Sequence, residues 1–161
     1  VGKSEGNLFY YILNESNAKS NFVEEVSNRY GLKPFKVMPE RDAYFNYNAD
    51  KHIEECVYPS PAAWIRAFID AECVVTDSFH ACVFSILFKK SFIVYGNKER
   101  GMARFYSLLT MFGLEDRLVT TFEEASTVIR RPIDWDAVHT RLTKWRKVSM
   151  DFLLSSLTVN C

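Results

Sequence analysis

The sequence predicts an α/β fold in which a parallel β-sheet is covered by helices on both faces. Three observations carry this. Short apolar runs of strand length alternate with stretches of helical period along the whole chain. The helical stretches are punctuated by start and stop residues, with Ser60-Pro61 opening one and Gly31 and Gly113 closing two others. The 161 residues are 48% hydrophobic, enough for one buried core at the usual domain size of roughly 100–200 residues.

Val1 to Gly6 reads as a linker stub, and residues 7–161 as the domain. Asn7 to Leu13 (NLFYYIL) is the first strand. Ser16 to Tyr30 follows as a helix with Ala18, Phe22, Val23, Val26 and Tyr30 at helical spacing. Phe35 to Met38 is a second strand, ended by Pro39. Residues 40–58 are polar, rich in tyrosine and without a period, which predicts a long loop. The helix opened by Ser60-Pro61 presents Ala63, Trp64, Ala67 and Phe68. Cys73 to Thr76 is a third strand and Ser78 to Phe88 a helix apolar on nearly every side. Phe92 to Tyr95 is the fourth strand, and Arg104 to Phe112 the next helix. Leu118 to Thr120 closes the sheet, with a small helix over Phe122 to Ile129. A long helix from Trp135 to Leu157 carries Val138, Leu142, Trp145, Val148, Phe152 and Leu153 at helical spacing.

Composition narrows the function classes. Twenty basic residues balance twenty acidic ones, which argues against a partner held mainly by bulk electrostatics, such as duplex DNA or an anionic membrane. Locally, Lys89, Lys90, Lys98, Arg100 and Arg104 oppose Glu99 alone, a run suited to a small anionic ligand or to a solvated loop. Cys56, Cys73, Cys82 and Cys161 show no CxxC spacing, and the three histidines form no ligating pattern, so no metal is expected. No apolar run reaches the roughly 20 residues of a membrane span. The reading is a soluble, cytoplasmic protein.

Parallel sheets of this kind bind ligands at the carboxyl ends of their strands, beside helix N-termini. Chemistry is therefore sought just after Leu13, Thr76 and Tyr95. The segment Ala71 to Phe88 (AECVVTDSFHACVFSILF) places His80 in the first turn of a helix, where free N–H groups and the helix dipole meet an anion. His80 is the candidate acid/base, with a buried, hydrogen-bonded histidine as its other reading. Asp77 is a candidate general base or a helix cap, and Ser78 the alternative cap. Asn14 and Glu15 reach towards the cleft or cap the first helix. Trp64 and Trp135 read as packing residues, and His52 as an exposed residue within reach of an acceptor.

The run Pro61…Trp64-Ile65…Ala71…Val74-Val75-Thr76-Asp77-Ser78-Phe79-His80-Ala81…Phe84-Ser85 resembles the polysaccharide pyruvyl transferase family. A downstream run, Arg100-Gly101…Arg104-Phe105…Leu108-Leu109…Gly113-Leu114…Asp116-Arg117-Leu118, is similar to the branch of that family with a Ser-Phe-His motif. The similarity covers about residues 55 to 125. It implies a Rossmann-like C-terminal half of a two-domain protein of the GT-B glycosyltransferase type. An N-terminal half of about 150–200 residues would complete it. The implied activity transfers the enolpyruvyl group of phosphoenolpyruvate to a sugar hydroxyl, giving a pyruvate ketal in cell-surface polysaccharide. Phosphoenolpyruvate is then the donor substrate, a saccharide the acceptor, and no cofactor is required. His80 matches the motif histidine, with Asp77 beside it and Ser78, Phe79, Arg100, Arg104 and Asn14 as substrate-binding candidates. Many relatives carry Arg at the position of Ser78 and Gly at that of Ala81. Arg100 and Arg104 are the cations available in place of that arginine. Two other readings share the architecture: half of a nucleotide-sugar glycosyltransferase, and a non-catalytic homologue. A phospho-receiver domain fails for want of paired acids after the first strand.

Overall fold

A computed structural model of the protein describes residues 2–40, 53–96 and 101–158. Its centre is a five-stranded, all-parallel sheet in the order β2-β1-β3-β4-β5. The strands are β1 (Leu8–Tyr11), β2 (Pro34–Phe35), β3 (Cys73–Thr76), β4 (Ser91–Tyr95) and β5 (Leu118–Val119). The helices are α1 (Asn17–Tyr30), α2 (Pro61–Asp70), α3 (Phe79–Leu87), α4 (Ala103–Phe112), α5 (Phe122–Val128) and α6 (Trp135–Thr158). The α/β, Rossmann-like expectation holds. β3 coincides with its expected run and β4 begins one residue earlier, at Ser91, whereas β1, β2 and β5 are shorter than expected: β2 pairs only through Pro34 and Phe35, not from Phe35 to Met38, and β5 only through Leu118 and Val119.

Alternation along each strand divides the core between two faces. Phe9, Val74, Phe92 and Val94 point to one side, where Ala67 and Phe68 of α2, Ala81, Cys82 and Ile86 of α3, Phe105 and Leu109 of α4, and Val138 of α6 cover them. Leu8, Val75 and Ile93 point to the other, under Phe22, Val23 and Val26 of α1 and Ala125 and Val128 of α5. Phe68 is the hub of the first face: its ring meets Phe9 edge-on at 5.0 Å and Trp64 at 4.7 Å.

Local chemistry sets the helix ends. Ser16 caps α1 by accepting from the Lys19 N–H, so Asn14 and Glu15 are not its caps. Ser60 caps α2 with Pro61 in the first turn. Thr121 and Glu124 form a reciprocal capping box on α5. Gly113 ends α4 at φ 69°, a left-handed geometry that a side chain resists, and Arg141 of α6 fills the space where a Cβ would stand.

The residues read as a linker stub include Ser4, whose N–H donates to Asp70 at 2.7 Å. Within the long loop, Ile53–Cys56 forms a 3-10 turn; residues 41–52, and His52 with them, lie outside the described residues. In α6 only Val138 is buried, with Trp135 and Leu142 half-buried, whereas Trp145, Val148, Phe152 and Leu153 are exposed despite their helical spacing. No helix among the described residues is long and apolar enough to cross a membrane.

Candidate functional site

The strand order reverses direction at β1. From β1 the chain leaves to α1 on one face of the sheet, and from β3 it leaves to α3 on the other. Between the carboxyl ends of those two strands lies the crevice in which sheets of this kind bind ligands. Tyr11 pairs with Thr76 in the last rung of the β1–β3 ladder. The Thr76 hydroxyl donates to the Tyr11 carbonyl at 2.6 Å and accepts from the Ser78 N–H at 2.9 Å. That latch fixes where α3 begins.

Ser78 is the cap of α3, buried, with its hydroxyl accepting from the Ala81 N–H. Capping therefore falls to Ser78 and not to Asp77. His80 is the second residue of the helix and is exposed. It borders a cavity of about 390 Å³ walled by Tyr11, Met38, Tyr58, Trp64 and Phe84. The first-turn N–H groups of Phe79 and His80 have no acceptor inside the helix and face the same end.

Asp77 sits at the crevice with its side chain 4% exposed. One carboxylate oxygen accepts from the Leu13 N–H at 2.7 Å. The other accepts from the Asn14 N–H at 3.1 Å and pairs with Lys19 Nζ at 2.6 Å. Lys19, itself buried, also donates to the Asn14 carbonyl at 2.8 Å. Asp77 and Lys19 thus tie the β1–α1 loop to the end of β3, and Asn14 takes part through its backbone. Lys19 has no counterpart in the sequence reading; a lone lysine on a helix gives no sign that it is buried.

Arg104, in the first turn of α4, lays its guanidinium 5.7 Å from the centre of the Phe79 ring. The same ring stands edge-on to His80 at 6.3 Å. One aromatic ring therefore separates the cation from the histidine. The basic run does not converge on this point. Lys90 lies at the other end of β4 and donates to the carbonyls of Ile69 and Ala71 at 2.8 and 2.9 Å. Lys98 and Arg100 lie outside the described residues.

The cavity walls were the part sequence reasoning missed. Trp64 does pack in the core, edge-on to Phe84 at 4.9 Å and Tyr11 at 5.5 Å, yet it also borders the cavity. Its indole N–H is buried and has no hydrogen-bond partner among the described residues. Burial, then the neighbouring Tyr58 and Asp77, push the Tyr11 phenol above its ordinary pKa, so it stays a neutral hydrogen-bond donor across the working pH range. Cys73 and Cys82 are free and buried, and burial pushes both thiols up to about 12. They are packing residues. Among the described residues no three His, Cys, Asp or Glu side chains gather as metal ligands.

Residues 4–99 match the family model described as "Polysaccharide pyruvyl transferase". The match runs from ahead of β1 to just past β4 and takes in Asn14, Asp77, Ser78, Phe79 and His80, but not Arg100 or Arg104. It begins earlier and ends sooner than the similarity of residues 55 to 125 read from the motifs. No curated protein matches the chain, and no solved structure does. Because the matched segment is more than half of the 161 residues and holds the whole β1–β3 crevice, the chain belongs to the polysaccharide pyruvyl transferase family.

Proposed function

We propose that the chain is part of a ketal pyruvyl transferase that uses phosphoenolpyruvate as donor and a saccharide as acceptor. The observation that carries this reading is the setting of His80: exposed, in the first turn of α3, at the edge of an aromatic cavity where β1 and β3 end. The donor is a trianion at most. The first-turn N–H groups of α3 and the guanidinium of Arg104 offer it positive partners on two sides of Phe79. Protonation of the donor's methylene carbon leaves a cationic carbon that a sugar hydroxyl attacks. A second hydroxyl then displaces phosphate, closing the ketal. His80 gives the proton to the methylene or takes it from the hydroxyl. Tyr11, Tyr58 and the unpartnered Trp64 N–H supply the apolar faces and donors that a sugar ring needs.

Ser78 bears on the donor's charge. At the position where many relatives carry Arg, this chain has a buried cap, so that cation must come from elsewhere, and Arg104 is the described residue nearest to doing so. On this reading the chain is the C-terminal, GT-B-type half, and a second half of the same protein forms the other wall of the cleft.

The test is phosphate release by the whole protein from phosphoenolpyruvate with a galactose- or mannose-type acceptor. Acceptor-dependent release should fall about 100-fold or more in His80→Ala, the usual scale for losing a general acid–base. In Arg104→Ala the loss should appear mainly in KM for the donor. Release that His80→Ala leaves untouched overturns the assignment of His80. No release with any acceptor moves the protein to the non-catalytic reading.

A further inference from the structure

We propose that the C-terminal half of α6 is a docking element for a bilayer surface carrying anionic headgroups. The direction of α6 gives the first part of the case. It starts at Trp135, which borders the same cavity as Cys73 and Ser91, the first residues of β3 and β4. Arg141 then meets Gly113 at the end of α4, and Arg141, Lys144 and Trp145 line one cavity with Tyr106, Ser107, Thr110 and Met111 of α4. The two helices are therefore antiparallel. Beyond Trp145 the helix runs on for about 20 Å at 1.5 Å per residue, towards the end of the sheet where His80 lies.

The chemistry of that stretch is the second part. Val148, Met150, Phe152, Leu153 and Leu157 are all exposed, Phe152 at 72% and Leu157 at 62%. At 100° per residue Met150, Leu153 and Leu157 share one arc, and Val148 and Phe152 with Trp145 share the next. Only Ser149 and Ser156 lie between these arcs, and the Ser156 hydroxyl donates back to the Phe152 carbonyl at 2.8 Å. The one charge after Lys147 in α6 is Asp151, paired with Lys147 at 2.9 Å. A soluble helix with one buried stripe needs no such width of apolar surface.

Charge chooses the occupant. From Arg141 to Lys147 the helix carries Arg141, Lys144, Arg146 and Lys147 with no acid among them, and Trp145 stands in their midst. A basic collar with an interfacial tryptophan, followed by an apolar tip, fits a surface with anionic headgroups above acyl chains. It fits a second copy poorly, because two such collars would repel. The chain's overall neutrality is no obstacle, since the hold is local insertion beside Arg141, Lys144 and Arg146, with Lys147 paired to Asp151. The apolar tip lies at the same end of the sheet as the His80 cavity, but no α6 residue lines that cavity.

The experiment is co-sedimentation of the whole protein with phosphatidylcholine vesicles, with and without an equal share of phosphatidylglycerol. Binding to the anionic vesicles should be stronger by about tenfold and should fall back in Lys144→Glu/Arg146→Glu. Phe152→Ser/Leu157→Ser should abolish it, with circular dichroism and phosphate release in free solution unchanged. No vesicle binding at either composition overturns the proposal. So does binding that neither pair of substitutions weakens. A protein that is dimeric by light scattering, and made monomeric by Phe152→Ser/Leu157→Ser without binding vesicles, assigns the surface to a second copy instead.

Discussion

Asp77 and Lys19 show how a carboxylate at a ligand crevice can be committed to architecture. Both are buried, and the carboxylate is shared between a lysine and two backbone N–H groups. Replacing one partner strands the other's charge in a place water cannot reach. Asp77→Ala should therefore lose about 3 kcal/mol of stability, read as a drop in Tm. Asp77→Leu combined with Lys19→Met should recover part of that loss, because no buried charge is then left alone. The buried thiols give a second prediction. Cys73 and Cys82 ionise only near 12 in the folded chain, against 9.0 ordinarily. Their folded values are raised, so the stability they contribute is complete below about pH 9 and is lost as pH climbs towards 12. Urea melts from pH 8 to 11 should show a falling unfolding free energy, with a shallower slope in Cys82→Ala. At pH 8, iodoacetamide should modify the half-buried Cys56 and spare Cys73 and Cys82 until the chain unfolds.

At the scale of elements, caps and glycines carry the boundaries. Gly113→Ala should cost about 1–2 kcal/mol from its left-handed backbone alone, and more because Arg141 occupies the Cβ position. Thermal unfolding reads this directly, and Gly31→Ala, at φ 64° with open space around it, serves as the comparison that isolates the backbone part. Element boundaries of this kind were legible in the sequence. Ser60-Pro61, Gly31 and Gly113 fall where the helices begin and end, and His80 lies in the first turn its motif implied. The division of labour around His80 was not. Asp77 and Lys19 are 58 residues apart, and Tyr11 and Thr76 are 65 apart, so only the β1–β3 pairing brings them together. Nor does a pattern of spacing reveal what covers a helix. The apolar positions of α6 keep their period from Val138 to Leu157, yet burial stops after Leu142.

For the whole molecule, the reversal of strand order at β1 decides where function can sit. Helices leave β1 and β3 on opposite faces, and the gap between them is held at a fixed width by the Thr76 latch and the Asp77–Lys19 pair. Phe68 touches the aromatic groups of three separate elements, so Phe68→Ala should cost about 3–5 kcal/mol and loosen the His80 cavity wall with it. Chemical denaturation monitored by tryptophan emission would report both, because Trp64 lies against Phe68 and borders the cavity. The brevity of β2 and β5 has a consequence of another kind. A sheet ends in rows of unpaired amides that can template another chain, and natural folds guard against this by keeping outer strands short or placing proline in them. Here both outer strands are two residues long, and one of them begins with Pro34. Neither rim offers a foreign strand enough ladder to grip, so crowding or concentration should not extend this sheet into fibrils.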